Sequence, residues 1–534
     1  MSTETPESTV SVDEIGAADS GHQEFHKSVS EITRQSSVSF LGTISTLLVG
    51  YLFRIYLARN LGAELLGWNA LGIGLYALFR MIGDLGMPYA AGRYVSVYSA
   101  TGQNDRLRAF FWRALLWSML GSGIFCAGLI AARHWIAVQF FHDNELAGYI
   151  PFYAFLIPVG AANSFVLQTL SGLKKVSRRT FITNFVSVPF MMVATIVAVS
   201  LGFSLRGYIV AQILGELLAM VLAILSIRRF SPIPLRFSGS WGGRLQPEVW
   251  WFALALLAMT VLEYAASRAD RLILGHYLLA KEIGIYAVAS SAAALCSLVL
   301  QAVNTIFGPV IADLHARQEQ QLLSRLFQTV TKWVIAFTLP LILLLSVFAS
   351  TVLGIFGADF QAGSVVLMIL CVGQLANVGT GSVGTLLYMS GNQNKMLPVQ
   401  VAAAVLAVAG NIALIPLFGI KAAAVVSVLA TAVNNVVFLV VVWRKMHLFP
   451  YNASYVRLLV PVSATGAAIW FLHAYTVGRL PAVPLLLLVF MSSYVVFFGG
   501  ILISGLTEDD RVVVRLMRER LGPFFKRTSS QNAQ

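Results

Sequence analysis

The stretch Glu263–Ala287, EYAASRADRLILGHYLLAKEIGIYA, decides how this chain is read. It begins inside a long apolar run, yet it carries Glu263, Arg268, Asp270 and Arg271. It then turns through a short polar link and returns to apolar sequence at Gly284-Ile285-Tyr286. On insertion scales each such charge costs about 2.5–3.5 kcal/mol at a bilayer centre. Charges held in that place mark a functional site or a pairing site.

A related stretch lies 217 residues earlier. Arg54–Gly67, RIYLARNLGAELLG, falls without a gap on Arg271–Gly284, RLILGHYLLAKEIG. Arginine, two leucines, alanine and the closing glycine coincide. Further on, Leu170-Ser171-Gly172 answers Met389-Ser390-Gly391, and Gly202 answers Gly419. The chain is therefore read as two copies of one unit with an addition at the end.

Composition sets the solvent. Of 534 residues 57% are hydrophobic and 11% charged, against about 25% charged in soluble proteins. Mean hydropathy is +0.76. The expected fold class is an all-α polytopic membrane protein. Fourteen apolar runs between residues 36 and 505 approach the ~20 residues a span needs, the first two at 36–57 and 67–90. Six spans per copy is an even number, so the second copy starts on the same side as the first. The result is two parallel six-helix lobes around a central cleft, with two extra C-terminal helices.

Lysine and arginine give orientation. With the N-terminus inside, only Arg59, Arg133, Arg206, Lys281, Lys421 and Arg479 fall in outer loops. Nearly all the others lie on the inner side, so both termini are expected to be cytoplasmic. The net charge of +13 then belongs to loops that meet anionic headgroups, not to a nucleic-acid partner. The expected organisation is a disordered cytosolic tail (1–33), an N-lobe (34–230), a cytosolic linker (231–248), a C-lobe (249–445), two further spans (446–506) and a cytosolic amphipathic tail (507–534). In that tail Val512, Val513, Leu516, Met517 and Leu521 form one apolar stripe, suited to lying on the inner leaflet. No basic-then-apolar leader opens the chain.

At this point the residues resemble a known family. Asp270-Arg271-Leu-Ile-Leu-Gly275 followed by Glu282-Ile-Gly284-Ile-Tyr286 is similar to the start of the second lobe in polysaccharide, or Wzx-like, flippases. Phe356-Gly357-Ala-Asp-Phe360, Asn411 to Gly419, and Asp84-Leu-Gly86 followed by Arg93 resemble further parts of the same family. The likeness covers roughly residues 34–505. It implies the fold of the multidrug, oligosaccharidyl-lipid and polysaccharide exporter superfamily. It also implies translocation of a polyprenyl-linked oligosaccharide between leaflets of the cell membrane, beside the polymerase and glycosyltransferases of a surface-glycan pathway.

Such a cargo needs a polar cleft for a phosphate or diphosphate, and arginine binds phosphate oxygens bidentately without losing its charge. Arg54, Arg80, Arg268 and Arg271 are the candidate substrate residues, and Asp84, Glu263, Asp270 and Glu216 the candidate coupling or gating acids. At 1.5 Å per residue, Arg80 lies about 20 Å from the outer end of its span, too deep to snorkel cheaply. Asp84 follows one turn later and can pair with it. Glu263 is about 20 Å from its inner end. Arg54, Arg268, Asp270 and Arg271 are expected near the outer face, where an ion-pair gate is as good a reading as a binding site. Cys126, Cys296 and Cys371 all sit in apolar runs and form neither a disulfide framework nor a metal motif. No catalytic, cofactor or metal motif is expected. The rival readings are a cation-coupled multidrug exporter of the same superfamily, and a membrane polysaccharide polymerase or ligase. The exporter would favour acids in an apolar cleft. The enzyme would need a long outer loop, and the longest here is only about 133–148.

Overall fold

The structure, a computed structural model, describes residues 49–230, 245–476, 479–505, 510 and 511. The expected N-terminal tail, the start of the first span, most of the linker, and the amphipathic tail beyond Asp510 and Arg511 lie outside the described residues.

The described residues are helical and include no strand. In chain order the helices are α1 Val49–Gly83, α2 Met87–Ala100, α3 Asn104–Ala131, α4 Ile150–Gly172, α5 Val176–Thr180, α6 Val188–Ser200, α7 Ser204–Phe230, α8 Pro247–Ser267, α9 Ala269–Tyr277 and α10 Ala280–Ala293. They continue as α11 Leu298–Ala316, α12 Gln320–Val347, α13 Ala349–Gly354, α14 Ser364–Gly379, α15 Val383–Met389, α16 Met396–Phe418, α17 Ile420–Met446, α18 Leu459–Thr476 and α19 Ala482–Ser504. Prolines in the first turn of α2, α4 and α8 start those helices where a backbone N–H has no partner to lose.

Thirteen helical segments among the described residues are long and apolar enough to cross a membrane. One of them, α1, has 35 residues, about 52 Å of helix against a hydrocarbon core of about 30 Å. Gly62, at φ 78°, divides it into two pieces. These are the end of the first expected span and most of the second, so the fourteen-span reading is consistent with the fold. The outward surface is apolar as lipid requires: Ile503 is 87% exposed and Trp251 77%.

The cores explain the shape. One large core joins residues of the two sequence copies, with Phe53, Leu71 and Tyr153 packed alongside Leu274, Tyr286 and Phe356. Away from it the halves have separate cores. Met87, Phe111, Phe165 and Ile227 belong to one, and Phe307, Phe327, Leu386 and Val442 to the other. The two halves are thus fused at the end bearing Gly62 and Leu278, the end the charge pattern predicts to be outer. They part towards the opposite end. Helix α8 is the bridge: it packs along α16, while its Val249 and Ala253 join the core of the first half.

The fused end carries the internal symmetry in its geometry. A Cβ on Gly67 would lie 1.7 Å from the Ala280 carbonyl oxygen, and a Cβ on Gly284 1.9 Å from that of Ala63. Gly284 is the mate of Gly67, and Ala280 the mate of Ala63, at the same spacing of 217. One close backbone contact is made twice about a pseudo-twofold axis.

The last described residues return to the second half. Lys332 of α12 and Asp510 are both buried and joined at 2.6 Å. Removing one partner of such a pair strands the other charge and costs about 3–5 kcal/mol, whereas apolar replacement of both is near neutral. Lys332→Ala is expected to lower the melting temperature of the purified protein markedly, with Lys332→Met/Asp510→Leu recovering most of the loss. Thermal unfolding in detergent measures both, and a silent Lys332→Ala would contradict the pairing.

Candidate functional site

The second piece of α1 places Ala77, Arg80, Met81 and Asp84 at intervals of three and four, hence on one face. Just past its end the chain turns through Leu85 (φ 54°) and Gly86 (φ 71°). Asp84 Oδ1 accepts the Gly86 N–H at 3.0 Å and fixes that turn. The turn must be tight, because a Cβ on Gly86 would lie 2.2 Å from the Ala253 carbonyl oxygen of α8. Helix α8 presents Leu257, Thr260, Glu263, Tyr264 and Ser267 to the same space, and α4 adds Ser164 and Gln168. Together with Arg268, Pro88 and Tyr89 these residues enclose a cavity of about 280 Å³. It lies between helices of the first copy and the opening helix of the second.

Arg80 is the group at its centre. Its Nε is buried with no hydrogen-bond partner. Its guanidinium carbon stands 5.6 Å from the Tyr76 ring. A side chain at position 160 is excluded beside it: a Cβ on Gly160 would meet the Tyr76 hydroxyl at 2.2 Å and Arg80 Cδ at 3.0 Å. The expected Arg80–Asp84 pair does not form as an ion pair, since the Asp84 carboxylate serves the turn. Asp84, Glu216, Tyr76 and Tyr89 all lie within electrostatic reach of Arg80. Tyr264 donates its hydroxyl to the Gly74 carbonyl at 2.8 Å and ties α8 to α1. Thr260 reaches the Tyr89 hydroxyl at 3.4 Å.

Of the eight charged candidates from sequence, the structure brings Arg80, Asp84, Glu263 and Arg268 to one cavity. Arg268 lines it from the far end of α8, where the helix breaks, with Arg268 at φ −141° and ψ −10° between α8 and α9. The other four do not line the cavity. Asp270 accepts the Tyr286 hydroxyl at 2.5 Å. Arg54 is exposed, with Tyr51 and Tyr208 in electrostatic reach, and Arg271 is near Tyr264. Glu216 lies behind the cavity wall, where its carboxylate accepts a hydrogen bond from Asn163. Tyr89, Ser164, Gln168, Thr260, Tyr264 and Ser267 were not singled out in sequence. Their only signal is a polar group inside an apolar run. Among the described residues no set of three His, Cys, Asp or Glu is placed to hold a metal ion, and the three cysteines are buried and free.

The arrangement is that of a membrane transporter: two related helical halves, fused at one end, with a polar cavity between them. The lipid II flippase MurJ in an inward closed conformation superposes with a TM-score of 0.66 at 12% identity, over 86% of this chain and 99% of that one. An inward-facing multidrug resistance MATE family transporter of the MOP superfamily gives 0.55 at 14%, over 74% and 94%. A MOP superfamily transporter from Pyrococcus furiosus gives 0.52 at 14%, over 78% and 95%. These likenesses define the fold. A relative in sequence is the probable low-salt glycan biosynthesis flippase Agl15 of Haloferax volcanii, 29% identical over 174 residues. That match spans 32% of this chain and 37% of the length of the relative. The family of polysaccharide biosynthesis proteins (Polysacc_synt_3) matches residues 56–363, more than half of the chain, and the chain belongs to that family.

Proposed function

We propose that the protein is a flippase that carries a polyprenyl phosphate- or diphosphate-linked oligosaccharide from the cytoplasmic to the outer leaflet of the cell membrane. The observation that supports this reading best is Arg80: a half-buried cation whose buried Nε is unpartnered, in a cavity that Arg268 also lines and that opens between the two halves. Such a cation has unused donors for phosphate oxygens. In this reading 34–230 and 249–445 move as two lobes, the end bearing Gly62 faces outward and both termini are cytoplasmic. Arg80 and Arg268 hold the headgroup, and Glu263 and Asp84 tune or couple the cycle. The lipid tail stays in the bilayer against the apolar outer surface. Agl15 is named a glycan biosynthesis flippase and MurJ a lipid II flippase, which agrees with a glycan-bearing lipid as cargo. Glycosyltransferases would load that cargo inside, and a polymerase would use it outside.

The test is reconstitution. Purified protein in liposomes with a fluorescent polyprenyl diphospho-oligosaccharide is expected to expose the inner-leaflet label to a membrane-impermeant quencher. Absence of flipping, combined with ion-driven extrusion of cationic dyes, would replace this reading with that of a drug exporter, for which Glu263 is the acid to examine.

A further inference from the structure

The two halves of the cleft differ in chemistry. Shifting the cavity-lining positions of α1, the turn after it and the start of α2 by 217 residues carries Ala77, Arg80, Asp84 and Pro88 onto Ala294, Ser297, Gln301 and Thr305. The alanine is kept, and every charge is replaced by an uncharged group that both donates and accepts. Ala294, Gln301 and Thr305 are exposed and Ser297 half-buried, while the adjoining face of α11, with Leu300, Phe307 and Ile311, is in the core. The segment from Gly284 to Ala312 contains no Asp, Glu, Lys or Arg.

Depth makes this stripe informative. Ser297 is about 20 Å along the helix from Gly284, as Arg80 is from Gly67. An exposed amide at that depth cannot face hydrocarbon cheaply, because each unsatisfied polar group there costs several kcal/mol. It therefore faces the cleft. Gln301 Nε2 donates to Ser297 Oγ at 2.8 Å, which pre-orients both groups and leaves the amide oxygen and the second N–H free to pair outward. Beside it, Asn304 Oδ1 is buried with no hydrogen-bond partner.

We propose that Ser297, Gln301, Asn304 and Thr305 form a glycan subsite that takes the hydroxyl or acetamido groups of the first sugar, across the cleft from Arg80, which takes the phosphates. Sugars present neutral groups that donate and accept together, which amides and hydroxyls match and ammonium or carboxylate groups match only in part. Placing the two chemistries on opposite halves makes a glycosylated lipid the ligand that engages both. A bare lipid phosphate engages one.

This inference rests on the flippase reading, and the experiment separates the two. Affinities of the detergent-solubilised full chain are measured for polyprenyl diphosphate and for the same lipid carrying one N-acetylhexosamine. Wild type is expected to bind the glycosylated lipid at least tenfold more tightly. Ser297→Ala/Gln301→Leu/Thr305→Val should remove that gain and leave the bare lipid unchanged. Gln301→Leu alone, with wild-type melting behaviour, should remove most of it. A gain that survives in both variants overturns the subsite and leaves the flippase reading in place, as does a sugar that adds nothing to wild-type binding. Failure of wild type to bind either lipid overturns the flippase reading, and the subsite falls with it; binding that is indifferent to Arg80→Ala takes Arg80 out of the phosphate site and overturns the two-sided arrangement.

Discussion

Replacing Arg80 with alanine is expected to abolish transport while leaving insertion and folding intact. The side chain is a charge within a span, and its Nε has no partner in the protein, so little native hydrogen bonding is lost with it. The cargo loses more. A hydrogen bond between ionised groups contributes about 1.5–3 kcal/mol, or roughly a ten- to hundredfold change in affinity for each one lost. Arg80→Lys sharpens the test, because lysine keeps the charge but not the planar fork. If the site grips a phosphate bidentately, lysine should restore only part of the activity. If Arg80 merely balances Asp84, Glu263 and Glu216, lysine should restore nearly all of it. The measurement is complementation of surface polysaccharide in a strain lacking the protein, with membrane levels quantified in parallel. Full complementation by Arg80→Ala at normal protein levels would remove Arg80 from the substrate site.

How much of this was legible in the sequence depends on what each feature needs. Hydropathy counts spans because lipid leaves a helix few alternatives, and it yielded fourteen where the structure shows thirteen apolar segments with one broken at Gly62. The repeat exposed the pairing of Gly67 with Gly284 as a coincidence of letters. Only coordinates show that the two glycines lie against Ala280 and Ala63 backbone. Arg80 and Glu263 were singled out by counting along their spans, and the structure brings both to one cavity. Nothing in the letters AASRAD at 265–270 announces the helix break at Arg268. The contribution of α4 to the cavity was invisible. Ser164 and Gln168 are ordinary polar residues until the packing of α4 against α1 and α2 turns them inward. For Asp84 spacing left two readings open, a pair with Arg80 or a tuner of it, and the structure gives one oxygen of its carboxylate to a backbone turn.

Gly284→Ala is expected to be a strongly disruptive small substitution at the fused end, and to act by opening that end. The added methyl would lie 1.9 Å from the Ala63 carbonyl oxygen, far inside van der Waals contact, and that oxygen belongs to backbone that cannot rotate away. Overpacking of this kind costs about 1–3 kcal/mol or more where the structure must shift to relieve it. Here relief is available along one coordinate, separation of α1 from α10, which is also the motion a transporter must make to release cargo outward. The substitution should therefore bias the protein towards the state in which the Gly62 end is parted, rather than unfold it. The same bias is expected from Gly67→Ala, whose Cβ would fall 1.7 Å from the Ala280 carbonyl oxygen. Gly123 of α3 is the control: nothing stands within 4 Å of a Cβ there, so Gly123→Ala should be neutral or stabilise its helix by up to about 1 kcal/mol. A cysteine placed at position 280, where the alanine is 6% exposed, reports the opening through its reaction with a maleimide. Native Cys126, Cys296 and Cys371 are buried and give a low background. Transport should fall at least tenfold in Gly284→Ala while labelling at position 280 rises. Lowered transport with unchanged labelling would mean that the glycine pair stabilises the fold without gating it. Unchanged transport would mean that the two halves separate there at no cost, and that the contact repeated about the pseudo-twofold axis is not what holds the cleft shut.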